Sequence, residues 1–408
     1  MEYIPRHLER KFLKMSGFFK AVLVTGARQV GKTTMLKHLA RGQKRTYVSL
    51  DVIMARELAQ TDPALFFQTY KPPILIDEVQ YAPALFPQIK TMCDESEENG
   101  RFWLTGSQQY NMMEVARESL AGRVGIMQMY GLSQTEKAGI AFENELDFTL
   151  PCLQGRRPLV EKNDVAAVYD HIWRGGMPQA QRADPEQMQE YFESYANTYL
   201  MKDIVDFGEV RDTIRFGRFI TACAALVGEM LNYKTLADAA DISEPTAKGW
   251  LYLLEGLGIV YLLRPYANNA LKRLTKAPKL YFCDTGLAAH LTMWLTPQTL
   301  MNGAASGHFF ENYVVMELLK SYSYSPSKAN MTYYRDSNAK EIDIFIERNN
   351  MVHPLEIKKS ACPDRREVRK FNVLSKTTVE KGAGGIICMC EEPIPIDASN
   401  CFIPCNLI

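Results

Sequence analysis

The chain has 408 residues, enough for two to four domains at roughly 100–200 residues each. Hydrophobic residues make up 47% and charged residues 23%, which excludes a disordered or collagen-like chain. Lys plus Arg and Asp plus Glu both number 47, so the formal charge is zero; this argues against a globally basic coat for nucleic acid and leaves only a local basic patch.

No apolar run reaches the roughly 18–20 residues that span a bilayer, so no membrane role is expected. The opening MEYIPRHLERKFLKM scatters charges where a signal peptide needs an apolar core. Nine cysteines, an odd number in a long chain, do not look like a secreted disulfide framework. These features predict a cytoplasmic protein with reduced thiols. Cys388, Cys390, Cys401 and Cys405 come nearest to a metal motif, but GIICMC reads as a buried strand.

In the first third, AVLVT (21–25), RTYVSLD (45–51), PPILID (72–77) and RFWLTG (101–106) are short apolar runs separated by helix-like segments. That alternation predicts a parallel sheet covered by helices. The first strand leads into GARQVGKT, which fits G-x-x-x-x-G-K-[ST] between a strand and a helix. Gly26 and Gly31 allow backbone shapes that a side chain would obstruct. The N–H groups of Ala27, Arg28, Gln29, Val30 and Gly31, with Thr34 at the helix start, then face the phosphates of ATP, aided by the helix dipole. Lys32 reaches the β- and γ-phosphates, and Thr33 ligates Mg²⁺. The third strand ends in ILIDEVQ; paired with this loop, Asp77 is expected to hold Mg²⁺ and Glu78 to activate water. Ser107, after LTG, stands where a polar group can read the γ-phosphate.

The middle, about 131–300, reads mainly helical. Within it, 233–266 reads as helix, tight turn, helix, strand. Leu236, Ala240 and Ile242 are expected against Trp250, Leu251 and Leu254, with Ser243 as an N-cap. This resembles a winged helix-turn-helix, spanning about 230–282. Its second helix sets Lys248 against Glu244 and Glu255, a poor base reader. The segment 264–279 holds Arg264, Lys272, Arg273, Lys276 and Lys279 and no acidic residue. A basic wing of this kind suits DNA phosphates.

The last hundred residues turn to α+β: a helix (307–321), a hairpin (341–358) and a further strand (384–390). In KEIDIFIE, Ile342, Ile344 and Ile346 share one face and Glu341, Asp343 and Phe345 the other. Asn349–Asn350 suits a two-residue turn, because Asn tolerates positive φ. Asp343 then faces Glu356, and Glu341 faces Lys358. Opposed Cβ atoms lie about 4.5–5.5 Å apart, so the facing carboxylates need a cation. Glu311 adds a third carboxylate on the stripe of Val314, Val315 and Leu318. Pro354 inside the second strand suggests an edge or a bulge. Six histidines show no ligand spacing.

Taken together, GARQVGKTT, ILIDEVQ, LTGSQQ, LAGRVG, GLSQTE, GGMPQ and KEIDIF…PLEIKKS resemble the prokaryotic AAA-type ATP-binding proteins that carry a C-terminal domain of unknown function. The resemblance covers almost the whole chain. It implies an α/β architecture in three parts: an ASCE/AAA-type P-loop domain (1–135), a helical and winged-helix middle (136–300), and an α+β domain (301–408) similar to PD-(D/E)xK nucleases. It implies that Arg123 acts as an arginine finger, completing a neighbour's site in a homo-oligomer. It also implies that Glu311, Asp343 and Glu356 hold Mg²⁺ or Mn²⁺ beside Lys358, for phosphodiester cleavage. The other reading is a nucleotide-gated switch whose C-terminal domain is an inactive scaffold for a protein partner.

Overall fold

A computed structural model of the chain describes residues 3–107, 120–142, 144–162, 164–200, 210, 212–266, 277–327, 329–336, 340–376 and 379–408. It divides into two compact units, Met1–Leu132 with Gly256–Ile259, and Ser133–Glu255 with Val260–Ile408. The segment expected as a third domain thus packs with the middle segment inside the second unit.

In the first unit, β1 (Ala21–Thr25), β2 (Thr46–Ser49), β3 (Ile74–Asp77), β4 (Phe102–Gly106) and β5 (Val124–Gln128) form one sheet in the order β2-β3-β4-β1-β5. Every neighbouring pair is parallel. Strands β1, β3 and β4 are buried along their whole length, as continuous apolar runs in a parallel sheet must be. Helices α1 (Leu8–Ser16), α2 (Lys32–Leu39), α3 (Ile53–Thr61), α4 (Pro63–Thr69) and α5 (Leu85–Asp94) connect and cover it. Ile74, Ile76, Phe86, Ile89, Phe102 and Leu104 sit at the centre of the resulting core. The order of the strands brings the ends of β1, β3 and β4 side by side, where ligands collect in open α/β sheets.

The second unit begins with helices and ends in a sheet. Helices Thr213–Ala225, Tyr233–Ala240 and Glu244–Gly256 precede an antiparallel pair, β6 (Val260–Leu263) and β7 (Lys279–Phe282). Trp250 packs edge-on against Phe216 and Phe219, and Ser243 caps its helix through Thr246 N–H at 3.2 Å. Leu236, Ala240, Leu251 and Leu254 are buried as expected.

Helix Ser306–Tyr324 is buried around most of its circumference, against helices Val165–Arg174 and Pro297–Asn302 and against β7. That explains why its sequence is apolar on more than one face. Beyond it lie β8 (Asn330–Arg335), β9 (Glu341–Arg348), β10 (Met351–Ile357), β11 (Glu380–Lys381), β12 (Gly384–Cys388), β13 (Ile394–Pro395) and β14 (Asn400–Pro404). They form a seven-stranded sheet in the order β13-β14-β12-β10-β9-β8, with β11 beside β10.

The β9–β10 hairpin has the expected register, with Leu355 opposite Ile344 and Met351 opposite Arg348. Asn349 and Asn350 form its turn with φ of 51° and 62°. Two expectations fail here. Pro354 is neither on an edge nor in a bulge; it pairs with Phe345 in a central strand, at the gap where β10 changes neighbours from β11 to β12. The irregularity lies on the other side of β9, which spends an extra residue opposite Thr332–Tyr334. This bulge breaks the alternation of faces, so Ile342 and Phe345 share one core cluster.

Candidate functional site

The loop after β1 has the backbone its glycines require. Gly26 has φ 141°, and a Cβ there would stand 2.1 Å from the Met129 carbonyl oxygen. Gln29 (φ 63°) and Gly31 (φ 101°) are left-handed, and Gly31 caps α2. Alternating conformations of this kind turn successive N–H groups to one side as an anion nest. Ala27 and Val30 are buried, and Arg28 donates to the Tyr81 hydroxyl at 3.1 Å. Thr34 is exposed on the first turn of α2. Lys32 is 5% exposed and donates to the carbonyls of Gly26 (2.9 Å) and Ala27 (2.8 Å). The ammonium is therefore held across the loop whose N–H groups would take phosphate.

At the end of β3, Asp77 is buried and its Oδ1 accepts from Thr33 Oγ1 at 2.5 Å and from the Thr105 hydroxyl. Tyr47 donates to its other oxygen at 3.3 Å. A hydroxyl and a carboxylate oxygen converging beside the phosphate loop are the hard oxygen donors that Mg²⁺ takes, so these residues fit the ion. Glu78 is left-handed (φ 56°), its N–H donating to Thr105 Oγ1 at 3.1 Å. This kink turns its carboxylate out of the strand.

Gln80, unmarked in the sequence, links the expected residues: its Nε2 donates to Glu78 Oε2 and to Ser107 Oγ, the latter at 3.1 Å. Its Oε1 is buried and has no hydrogen-bond partner among the described residues. Ser107 is 1% exposed at the end of β4. Arg123 pairs with Asp94 of the same chain at the end of α5, and donates to the Ala121 carbonyl at 2.9 Å.

The C-terminal carboxylates also come together, but not as expected. Glu311 accepts from Lys279 Nζ at 3.0 Å and from Tyr281 at 2.6 Å. Glu341 pairs with Lys279 (2.6 Å) and Arg335 (3.4 Å), not with Lys358, which lies beyond the end of β10. Asp343 accepts from Ile357 N–H at 2.8 Å. Glu356 is fully buried and meets Lys358 and Lys370, each at 2.9 Å. Lys370 also pairs with Glu367 at 2.7 Å. Burial, then the Asp343 charge, pushes the Glu356 carboxyl up to about 7. Burial works against the Lys279 charge, but Glu311, Asp343 and Glu341 outweigh it and hold its pKa above the ordinary lysine value. Among the described residues, no three His, Cys, Asp or Glu side chains are arranged to hold a metal ion. Lysines stand among Glu311, Asp343 and Glu356: Lys279 lies 3.0 Å from Glu311 and 4.0 Å from Asp343, and Lys358 lies 3.9 Å from Asp343 and 2.9 Å from Glu356.

The basic wing is corrected in part. Lys279 is buried in this network, and Arg264 pairs with Glu255 at 3.5 Å. Lys272, Arg273 and Lys276 lie outside the described residues. Cys388, Cys390, Cys401 and Cys405 are buried in or beside β12 and β14, all as free thiols. No helix among the described residues is long and apolar enough to cross a membrane.

Residues 18–138 match the family model of the AAA domain. Residues 165–298 and 306–408 match two domains of unknown function, DUF8612 and DUF4143. With the loop, Asp77 and the strand order, the first match defines an AAA-type P-loop ATPase domain at the N-terminus, followed by a helical middle and an α+β C-terminal region. The chain is 28% identical over 345 residues to the uncharacterized protein Rv2008c of Mycobacterium tuberculosis, covering 84% of this chain and 71% of that one. The uncharacterized protein Mb2031c of Mycobacterium bovis matches to the same extent. Among solved structures, the Walker-type ATPase of Pyrococcus abyssi is similar with a TM-score of 0.42 and 15% identity, over 71% of this chain and 96% of that one. At that score the likeness decides nothing about chemistry.

Proposed function

We propose that the chain hydrolyses ATP with Mg²⁺ at Gly26–Thr33 and uses the cycle to act on DNA. The observation that carries the first part is the contact of Thr33 with Asp77 at 2.5 Å, at the mouth of a loop that only glycine can shape. Thr33 and Asp77 hold Mg²⁺, which when bound supplies charge neutralisation for the phosphates. Lys32 binds the β- and γ-phosphates. Glu78 takes the proton of the attacking water, and Gln80 orients Glu78 while linking it to Ser107. Arg123 exchanges Asp94 for a neighbouring copy's nucleotide, so turnover depends on self-association.

Three helices followed by an antiparallel strand pair support a winged-helix reading of the middle, with the exposed Lys248 as a DNA-facing residue. For the C-terminal domain, the lysines among the carboxylates favour the second reading, an inactive nuclease-like scaffold for a protein partner whose binding is gated by nucleotide. The test is DNA binding by fluorescence anisotropy, with and without Mg-ATP, beside steady-state ATP turnover. DNA affinity is expected to change about tenfold between the two states, a coupling of about 1.4 kcal/mol. Equal affinity in both states removes the coupling, and an absence of turnover removes the ATPase itself.

A further inference from the structure

Asp343 stands between two ammonium groups. Its Oδ1 is 4.0 Å from Lys279 Nζ, and its Oδ2 is 3.9 Å from Lys358 Nζ. On one side Lys279 also meets Glu341 at 2.6 Å and Glu311 at 3.0 Å; on the other Lys358 meets Glu356 at 2.9 Å. A bridging carboxylate with one cation on each side is the charge arrangement of a two-metal phosphodiester site. Here both cations are side chains. We propose that Lys279 and Lys358 occupy the two cation positions flanking Asp343, so that the folded chain binds no divalent metal there.

Lys279 is built in rather than adventitious. Its side chain is 5% exposed, and its strand is fastened on both sides. Asn312, fully buried, pairs with the backbone of Phe282, accepting from its N–H at 2.7 Å and donating to its carbonyl at 2.9 Å. On the other flank, Gly228 N–H donates to the Leu280 carbonyl at 2.7 Å and Leu231 N–H to that of Pro278 at 2.8 Å. One oxygen of Glu311 already receives both Lys279 and Tyr281, so a divalent cation taking that oxygen has to expel a donor. A buried ammonium cannot leave without exposing Glu311, Glu341 and Asp343 to one another. The corollary is a latent site: without Lys279, these three carboxylates form an oxygen pocket of the kind that Mn²⁺ takes. Nothing at the nucleotide loop bears on this assignment.

The test uses the full chain without nucleotide, titrated with Mn²⁺ alone. Free Mn²⁺ is counted by electron paramagnetic resonance, and thermal melting is followed in parallel. Wild type and Asp343→Asn are expected to bind equal amounts of Mn²⁺. Lys279→Met is expected to gain one bound Mn²⁺ per chain, with a melting temperature that rises on adding Mn²⁺ where that of wild type does not. Bound Mn²⁺ in wild type that Asp343→Asn abolishes overturns the assignment, as does a folded Lys279→Met chain that gains none. If Lys279→Met does not fold, the comparison of wild type with Asp343→Asn decides alone. Mg-ATP turnover in the same wild-type sample reports separately on the nucleotide site.

Discussion

Glutamine in place of Glu78 is expected to leave ATP bound and to lower turnover by about 10²–10⁴-fold, the usual contribution of a positioned general base. The geometry makes this a clean substitution. The left-handed backbone at Glu78 is held by Thr105 Oγ1 through the residue's own N–H, and neither depends on the side chain. Glutamine keeps the shape and can still accept from Gln80 Nε2, but its amide cannot take a proton from water. Binding of Mg-ATP by calorimetry and release of inorganic phosphate separate the two effects. Unchanged turnover in Glu78→Gln would remove Glu78 from the chemistry.

The second large effect is on stability. Lys279→Met is expected to destabilise the second unit by about 3–5 kcal/mol, the cost of removing one partner from a buried ion pair. The lower end applies, because Glu341 is 29% exposed and keeps Arg335. Among the described residues, Glu311 then keeps the Tyr281 hydroxyl as its side-chain donor. Trp173, Trp250 and Trp294 lie in the second unit and Trp103 in the first, so tryptophan fluorescence during urea unfolding reports mainly on the affected part. An unfolding midpoint equal to that of wild type would mean that the network contributes nothing there.

What the sequence revealed and what it hid follow from the range of the signals. The strands of the first sheet announced themselves as apolar runs, and the phosphate loop as two glycines with a lysine, because each is local. The β9–β10 register was legible for the same reason: two asparagines fix the turn, and the turn fixes every pair after it. Lys279 was misread as part of a basic wing. Counting charges along the chain cannot show that β7 lies beside helix Ser306–Tyr324 and the start of β9. Glu367 and Lys370 were missed because the 3-10 stretch Arg365–Lys376 carries them to Glu356 only in three dimensions. Pro354 looked like an edge marker, since nothing in its neighbours tells that β11 stops and β12 starts beside it. Gln80 carried no signal apart from lying two residues past Glu78.

The nucleotide loop underlies the functional account, and calorimetric titration of Mg-ATP into wild type and Lys32→Ala tests it most directly. Wild type is expected to give saturable heat. Lys32→Ala is expected to bind about 10–100-fold more weakly, since a hydrogen bond to a charged group contributes about 1.5–3 kcal/mol. No heat with the folded wild-type chain, or equal affinity in Lys32→Ala, contradicts the assignment of Gly26–Thr33 as the ATP site.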